Sequence, residues 1–356
     1  MTHDVLVIGG GIAGASAGAA LARDMSVLLW EAEDHLAHHA SGRSAALFDE
    51  SYGAPTTVAL NRLSRAAHEA AGHMRPRGVM VVALDGEEAA FARDVESMGL
   101  APLTPEAARA RVPILSDRVV AAGLEPHAWD LDTDAMVQEA ARAIRRTGAV
   151  ETGRRVDRIA RTDAGWRVHA GAAVAEARIL VNAAGPWADA VAAMAGAAPL
   201  GLQPLRRSIA RIAAPGGHDV RGWPMLLGAG ETWYAKPDAG ALIVSPAEED
   251  AVDGPHDAWA CDMVLAEGLE RYQAAVSVPV TRPIATWAGL RTFAPDRALV
   301  IGPDPAVPGL WWSAGQGGYG FQTAPAAAAL LADRVAGRAP APDAALVAAL
   351  DPGRFG

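Results

Sequence analysis

Short apolar runs alternate with small-residue segments at the start of the chain. Residues 5–8 form an uninterrupted apolar run of the kind that lies centrally in a parallel sheet, and residues 27–30 form a second one. Between them, glycines are followed by alanines at helical spacing, which predicts a helix with a small-residue face. The pattern therefore predicts a βαβ unit that begins at Asp4 and ends at Glu31.

Strand-like runs also occur in the middle of the chain. Apolar or alternating residues predict strands at four places, which are residues 77–83, 205–213, 233–235 and 242–244. Residues 237–240, Pro-Asp-Ala-Gly, predict a hairpin turn between the last two of these strands.

Helical spacing and glycine-rich turns mark the remaining segments. Residues 133–146 place apolar side chains on one side and charged ones on the other, which predicts an amphipathic helix. Residues 179–187 read as a buried strand that ends in a small-residue turn. Residues 310–323 read as a strand entering a glycine cluster, and a helix is predicted over 324–335. Together these elements predict an α/β fold.

Composition and charge narrow the class of protein. At 356 residues with 51% hydrophobic residues, the chain predicts a large core, in two domains or in one domain with an insertion. A net charge of -10 disfavours nucleic-acid binding. One cysteine, Cys261, excludes a disulfide framework. No apolar stretch reaches the ~20 residues of a membrane span, and no export signal is visible, so we expect a cytoplasmic protein, with peripheral contact to the inner face of a membrane left open.

Candidate chemistry begins in the βαβ unit. Gly9, Gly11 and Gly14 match G-x-G-x-x-G, in which the glycines permit a tight turn, backbone approach to a pyrophosphate and close helix packing. Glu31 follows at the end of the second strand, where a carboxylate can accept hydrogen bonds from ribose hydroxyls. Because strand, turn, helix, second strand and acid all agree, the unit predicts dinucleotide binding.

Further segments resemble a known family. The sequence resembles the D-amino-acid oxidase and glycine oxidase superfamily of FAD enzymes, and within it the bacterial D-arginine dehydrogenase type. Besides the glycine unit, the segments that carry this resemblance are residues 41–46, 130–134, 182–185, 201–204, 234–240, 287–291 and 316–320. The resemblance implies a Rossmann-like FAD domain of the glutathione-reductase type, assembled from residues 1–75, 130–198 and 288–356. It also implies a substrate domain with a mixed, largely antiparallel β-sheet, formed by residues 76–129 and 199–287.

The resemblance implies non-covalent FAD and assigns residues to it. The predicted cofactor residues are Gly9, Gly11, Ile12, Ala13, Gly14, Glu31, Ala32, Ser41, Gly42, Arg43, Ser44, Ala45, Ala46, Val156, Ala183, Ala184, Gly185, Trp187, Gly317, Gly318, Tyr319, Gly320, Phe321 and Gln322.

The chemistry implied by the resemblance is oxidative deamination of a D-amino acid. Hydride passes from Cα to flavin N5, and the resulting imino acid hydrolyses to a 2-oxo acid and ammonia. Arg291 is predicted to clamp the substrate carboxylate, with Tyr234 as a second donor, Arg207 as a third contact and Tyr52 as a gate. Read without the resemblance, the arginines also fit ordinary ion pairs, Tyr234 a packed sheet aromatic, and Tyr52 an exposed loop residue.

The predicted side-chain pocket departs from the arginine-preferring pattern. Its members are Leu47, Asp49, Val79, Met225, Leu227 and Gly318, although Met225 and Leu227 fit a buried strand equally well. Val79 stands where that pattern has a carboxylate for a guanidinium, and Leu47 stands where it has a histidine. Because an unpaired buried guanidinium is costly, we expect neutral or apolar side chains to be preferred over cationic ones, unless Asp49 or Glu50 turns inward.

Several alternatives stay open at this point. A secondary amino acid such as sarcosine or proline, or a 2-hydroxy acid, would use the same carboxylate clamp, and a non-enzymatic flavin module is a further possibility. The resemblance favours a dehydrogenase over an oxidase, passing electrons to a quinone or another carrier, in a monomer or dimer. No metal is predicted, since the loop histidines 35, 38 and 39 lack a zinc-like ligand spacing.

Overall fold

A computed structural model describes residues 2–280 and 282–356. The helices are α1 (Ile12–Leu21), α2 (Pro55–Ala71), α3 (Glu88–Met98), α4 (Pro105–Arg111), α5 (Thr133–Ile144), α6 (Ala188–Met194), α7 (Asp262–Ala275), α8 (Gly320–Val335) and α9 (Ala344–Leu350). The strands are β1 (Thr2–Ile8), β2 (Val27–Trp30), β3 (Leu47–Asp49), β4 (Met74–Pro76), β5 (Val79–Leu84), β6 (Ala101–Leu103), β7 (Val119–Glu125), β8 (Ala128–Leu131), β9 (Ala149–Glu151), β10 (Arg158–Thr162), β11 (Gly165–Ala170), β12 (Ala173–Asn182), β13 (Gln203–Ile212), β14 (Met225–Gly228), β15 (Tyr234–Asp238), β16 (Ala241–Ser245), β17 (Asp250–Ala251), β18 (Ala285–Phe293), β19 (Val300–Pro303) and β20 (Leu310–Ala314).

The predicted βαβ unit is confirmed and forms the centre of the first sheet. Strand β1 pairs in parallel with β2 on one side and with β12 on the other. β9 extends the sheet beyond β2, while β20 pairs in parallel with the C-terminal half of β12 and β19 follows it. The carboxyl ends of β1, β2, β12 and β20 therefore meet at one edge, the edge where α/β proteins bind ligands.

Helices and a small meander cover the two faces of the first sheet. On one face the apolar side chains of β1 and β2 pack against α1, α5 and α8. On the other face they pack against α6 and the antiparallel strands β10 and β11. Because both faces are buried, residues 5–8 and 27–30 are apolar without alternation, as the sequence predicted.

The second sheet is mixed and largely antiparallel. Its strand order is β17-β13-β16-β15-β14-β5-β7-β6, with β18 paired antiparallel to β13. The hairpin predicted at residues 237–240 joins β15 to β16 through the positive-φ residues Ala239 and Gly240. Successive side chains of a strand point to opposite faces of the sheet. Met80 and Val82 of β5 accordingly pack toward α4 and α7, whereas Val79 and Val81 pack with Met225 and Tyr234 on the other face.

A three-stranded sheet, β3-β8-β4, packs Leu47 against the second sheet and Phe48 against Ile12 of α1 and Phe321 of α8. These sheets confirm the α/β fold class, and the residue ranges proposed for the two domains stay a prediction. Within the described ranges, no helix is both long enough and apolar enough to cross a bilayer.

Candidate active site

A long cavity starts at the carboxyl edge of the first sheet and ends against the inner face of the second sheet. The glycine turn forms its start. Gly9 has φ 109°, and a Cβ there would lie 2.4 Å from the Ala183 carbonyl oxygen, while a Cβ on Gly14 would lie 1.9 Å from the Gly9 carbonyl oxygen. Only glycine fits these two positions, because the turn, α1 and the end of β12 approach one another at backbone distance. The backbone of Gly11 and Ile12 is thereby brought to the cavity wall.

Glu31 stands where the second strand ends and also lines the cavity. Its Oε2 accepts a hydrogen bond from the Gly10 amide at 2.6 Å, and its Oε1 accepts one from the Glu33 amide at 2.9 Å. These bonds fix the carboxylate beside the N-terminus of α1, where a pyrophosphate and its ribose are bound in dinucleotide folds.

The predicted cofactor residues line this cavity, apart from Gly14, Gly42 and Tyr319. Gly14 and Gly42 support the wall from behind, since a Cβ on Gly42 would lie 2.2 Å from the Ala37 carbonyl oxygen. Tyr319 caps α8 and packs its ring 5.8 Å from that of Tyr52. Helix α8 begins at Gly320, four residues before its predicted start at Ala324. The sequence did not indicate the earlier start, because the glycine and aromatic residues of the first turn carry no clear helical pattern.

The far end of the cavity brings together the predicted carboxylate contacts. Arg291 of β18 and Arg207 of β13 lie on paired strands and both line the cavity. The Arg291 guanidinium has no hydrogen-bond or ion-pair partner among residues 2–280 and 282–356. Gly318 makes room for it, because a Cβ at that position would lie 2.8 Å from Arg291 Nη1.

Arg207 is held more firmly than Arg291. Its Nε donates to the Glu248 carbonyl oxygen at 2.6 Å, and its Nη2 lies 3.5 Å from Glu249 Oε1. Burial, followed by the charge of Arg291, lowers the pKa of Arg207 below its ordinary value. An anion bound close to Arg207 would favour its charged form and offset these two effects.

Several residues of the cavity wall carry buried polar atoms without a partner in the described part of the chain. Tyr234 is 5% exposed and lines the cavity, yet its hydroxyl has no partner within the described residues. The Thr292 hydroxyl and the Nε2 atoms of Gln316 and Gln322 are likewise buried, unpaired and on residues of the cavity wall. Buried donors without partners are rare in proteins, so this group fits a polar ligand.

Glu231 is a cavity residue that the sequence interpretation missed. It lies in a short turn between β14 and β15, and its φ of 55° is in the left-handed region. The Tyr52 hydroxyl donates to Glu231 Oε2 at 3.0 Å, so this pair joins loops from the two sides of the cavity. Although part of Glu231 is accessible to water, the surrounding atoms raise its pKa by desolvation. A glutamate in a glycine-containing turn gave no signal that could have distinguished it from a surface residue.

The predicted side-chain pocket is assembled largely as expected. Leu47, Val79, Met225 and Leu227 all line the cavity, and Met98 of α3 joins them without having been predicted. Their apolar surfaces offer no partner for a charged side chain.

Asp49 and Glu50, the two acids that follow Leu47 in the chain, take up different positions. Asp49 lies at the wall and is 4% exposed; its Oδ1 accepts hydrogen bonds from Ser51, whereas its Oδ2 is enclosed and unpaired. Burial raises the pKa of Asp49. Glu50 turns away and pairs with Arg65 at 3.1 Å.

The histidine-rich loop lies at the opposite end of the cavity. Ligand atoms of Glu33, His38 and His39 come within 4.8 Å of one another, a grouping that the spacing of these residues did not predict. Glu33 Oε1 is already held by Arg155 at 2.8 Å and by His39 at 3.1 Å. A cation would therefore compete with an arginine for this carboxylate, and we propose no metal here.

These features fit FAD along the cavity. Its ADP part matches the α1 N-terminus and Glu31, and the unpaired donors of Gln316 and Gln322 belong to residues of the same cavity wall, where they could bind a long polar cofactor. The residue assignments for FAD remain a prediction.

Comparison with known proteins identifies the family. The chain belongs to the FAD dependent oxidoreductase family, whose model matches residues 4–334. FAD is therefore the cofactor, and the resemblance to the D-amino-acid oxidase and glycine oxidase superfamily is confirmed.

Individual relatives match the chain over shorter segments than the family model does. The chain is similar to a glycine oxidase of Pseudomonas aeruginosa, at 34% identity over 34% of this chain and 32% of that protein. It is similar to D-amino acid dehydrogenase 2 of Ralstonia nicotianae, at 33% identity over 43% of this chain and 40% of that protein. The aligned segments thus span less than half the length of these curated relatives.

A solved structure shows the same fold over nearly the whole chain. The structure of glycine oxidase from Geobacillus kaustophilus superposes with a TM-score of 0.83, at 21% identity, and covers 97% of this chain and 98% of that one. At this identity the likeness concerns the fold alone.

Proposed function

We propose that this protein oxidises the Cα–N bond of a D-amino acid with a neutral or apolar side chain, using FAD, and releases a 2-oxo acid and ammonia. The observation that carries the proposal is that the Arg291 guanidinium and the Tyr234 hydroxyl, both on residues lining the same cavity, have no partner among the described residues. A substrate carboxylate supplies the charge and the acceptor atoms that these two groups lack.

Binding and orientation are the tasks of the two arginines and Tyr234. A planar guanidinium can give a carboxylate two parallel hydrogen bonds, which fixes the direction of the substrate as well as its position. Arg207 is tied to the Glu248 carbonyl oxygen and so adds positive charge from a fixed place. A substrate anchored in this way presents its Cα at one place on every turnover.

FAD, when bound, supplies the oxidising chemistry by accepting a hydride from carbon. The chain nevertheless controls which carbon is presented. Leu47, Val79, Met225 and Leu227 form an apolar wall, which accepts an apolar side chain and gives a guanidinium no partner. Glu50 pairs with Arg65 and does not line the cavity, while burial raises the pKa of the cavity residue Asp49 and so disfavours the charged carboxylate that a guanidinium would need.

Tyr52 and Glu231 limit the access of water. Their hydrogen bond of 3.0 Å joins two cavity-lining residues near Arg291, and we propose that it opens for substrate to enter. Closure over the substrate would shield the reacting carbon from solvent. We assign no general base, and we propose that the substrate amine loses its proton to water.

Two alternatives share the carboxylate clamp. A secondary amino acid or a 2-hydroxy acid would place its carboxylate on Arg291 in the same way, but a 2-hydroxy acid would release no ammonia. For electron transfer, we propose a dehydrogenase that passes electrons to a quinone or another carrier. Stopped-flow mixing of the reduced enzyme with oxygen tests this, and rapid reoxidation would make the protein an oxidase.

A titration with benzoate tests the clamp without turnover. Benzoate should perturb the visible flavin spectrum of the FAD-bound protein, and Arg291→Met should weaken its binding by about 10²- to 10³-fold, which corresponds to roughly 3–4 kcal/mol for a lost buried charge pair. Arg206→Met is the matched control, because Arg206 pairs with Asp250 at 2.7 Å and does not line the cavity. An unperturbed flavin spectrum in the wild type would favour the non-enzymatic flavin module.

A further inference from the structure

Lys236 is the single lysine of the chain. It lies in β15, two residues after Tyr234, so the two side chains leave the strand on the same face. Lys236 is 8% exposed, which is unusual because lysine is almost never buried unless its charge is paired. Burial lowers its pKa, and the charge of Asp130 opposes that change.

The ammonium group of Lys236 contacts a backbone segment of the cavity wall. Nζ donates hydrogen bonds to the carbonyl oxygen of Ala45 and, at 3.2 Å, to that of Ala46. It also lies 2.9 Å from Asp130 Oδ1, forming an ion pair with β8. Lys236 therefore connects the second sheet to the segment that enters β3.

Asp130 extends these contacts to Arg77. Its Oδ2 accepts hydrogen bonds from Arg77 Nε at 2.8 Å and Nη2 at 2.5 Å. Arg77 Nη1 in turn donates to the carbonyl oxygens of Arg221 at 2.8 Å and Trp223 at 2.7 Å. The cluster of Lys236, Asp130 and Arg77 thus contacts the segment that leads into β14, the strand that contributes Met225 and Leu227 to the side-chain pocket.

The segment held by Lys236 is strained and faces the cavity. Residues 44–47 all line the cavity, and Ala46 has φ 30°, in the region that non-glycine residues avoid. Such a conformation is unfavourable for a residue with a side chain and persists only where the surroundings enforce it. The two hydrogen bonds from Lys236 are contacts that enforce it, whereas the side chains of Lys236, Asp130 and Arg77 lie outside the cavity.

We propose that Lys236 is a positioning residue for the active site: it fixes the Ala45–Ala46 backbone from behind and so sets the wall between the cofactor and the side-chain pocket. The inference rests on the proposed function. Turnover requires the reacting carbon to be placed within a fraction of an ångström, and a 1 Å displacement of a supporting element can cost on the order of a hundredfold in rate. A merely structural ion pair would affect stability and leave kinetic constants unchanged.

The single lysine permits a direct test on the wild-type holoenzyme. After labelling with ¹⁵N-lysine, one side-chain ammonium signal is expected, and its protons should exchange with water much more slowly than those of free lysine. Asp130→Asn should shift this signal and leave the exchange slow, since the carbonyl bonds remain. Exchange as fast as that of free lysine would overturn the proposal without the need for a Lys236 variant.

Kinetics test the positioning role itself. Lys236→Met should lower kcat/KM roughly tenfold to a hundredfold and retain FAD, and Lys236→Arg should recover part of the loss. Arg211→Met is the matched control, because Arg211 pairs with Asp238 at 3.3 Å near the end of the same strand and does not line the cavity. Equal kcat and KM for Lys236→Met and Arg211→Met would overturn the proposal.

A failure of the proposed function gives a different result. If no amino acid reduces wild-type FAD, the proposed function fails, and the benzoate affinity of Lys236→Met then replaces kcat/KM as the measure of positioning. If Lys236→Met does not fold, Lys236→Arg and Asp130→Asn replace it, and wild-type ammonium exchange still decides whether Lys236 holds the segment.

Discussion

Tyr234 combines a buried position with an unused hydroxyl. The Tyr234 hydroxyl has no partner within the described residues, so a ligand carboxylate can accept its hydrogen bond without breaking a bond inside the protein. Removing the hydroxyl should therefore change affinity much more than folding.

Tyr234→Phe should separate these two effects. The ligand-free variant should be about as stable as the wild type, because the substitution breaks no hydrogen bond to another described residue. Its KM should rise by roughly 10- to 100-fold, since a hydrogen bond to a charged group contributes about 1.5–3 kcal/mol. Urea unfolding and steady-state kinetics measure the two quantities. Loss of stability with an unchanged KM would show that Tyr234 is only a packed aromatic.

Val79 is the residue on which the expected substrate preference depends most. It pairs with Met225 across β5 and β14 and faces the cavity. Val79→Glu would place a carboxylate in this wall, so kcat/KM for D-arginine should rise by at least about tenfold as the guanidinium gains a partner. The kcat/KM for D-leucine should fall, because the new carboxylate replaces an apolar contact. Val81→Glu, a substitution on the same face outside the cavity lining, controls for a buried charge as such. An unchanged ratio of D-arginine to D-leucine turnover would mean that Val79 does not contact the side chain.

At the scale of elements, helices α2 and α8 are joined through a buried histidine. His68 of α2 is fully buried, and its Nε2 lies 3.0 Å from the Gln322 carbonyl oxygen on α8. The other ring nitrogen has no partner within the described residues. Burial lowers the pKa of His68, because a charged ring here would leave an unpaired N–H in the interior.

This helix contact should make stability depend on pH. The unfolded chain protonates His68 near its ordinary pKa of about 6.5, whereas the folded protein protonates it only at lower pH. Between these values the unfolded state binds more protons, so the free energy of unfolding should decrease as the pH falls below about 6.5. His68→Gln keeps a donor for the Gln322 carbonyl oxygen and should reduce this dependence in urea unfolding measured between about pH 5 and pH 8.

His218→Gln is the control for this experiment, since His218 is exposed on the second sheet's outer turn. If His68→Gln retains the full pH dependence of the wild type, the unfolding is linked to other groups, and the contact between α2 and α8 does not titrate as described.

Strands with a continuous apolar run were predictable from the sequence. The run at residues 27–30 coincides with β2, and residues 242–244 lie within β16, because burial on both faces excludes polar residues there. The start of α8 was not predictable, since glycine and aromatic residues at positions 317–321 carry no helical pattern. Tertiary contacts with the cavity wall decide that boundary.

At the scale of the whole molecule, the site is formed where two sheets meet. The first sheet contributes the glycine turn and Glu31, and the second contributes Arg207, Tyr234 and Arg291. The sequence indicated these residues separately, and their assembly at one cavity follows from the fold. Glu231 and Lys236 could not be predicted as site or supporting residues, because their roles depend on contacts with segments about 180 to 190 positions away.

The most direct test of the central claim is anaerobic reduction of the bound FAD by a panel of D- and L-amino acids, glycine, sarcosine and 2-hydroxy acids. The proposed function predicts that neutral or apolar D-amino acids reduce the flavin with the highest kcat/KM and that ammonia is released. Reduction by D-arginine ahead of all others by a wide margin would contradict the proposed side-chain preference. Reduction by no carboxylate-bearing compound would contradict the claim that Arg291 and Tyr234 bind a substrate carboxylate.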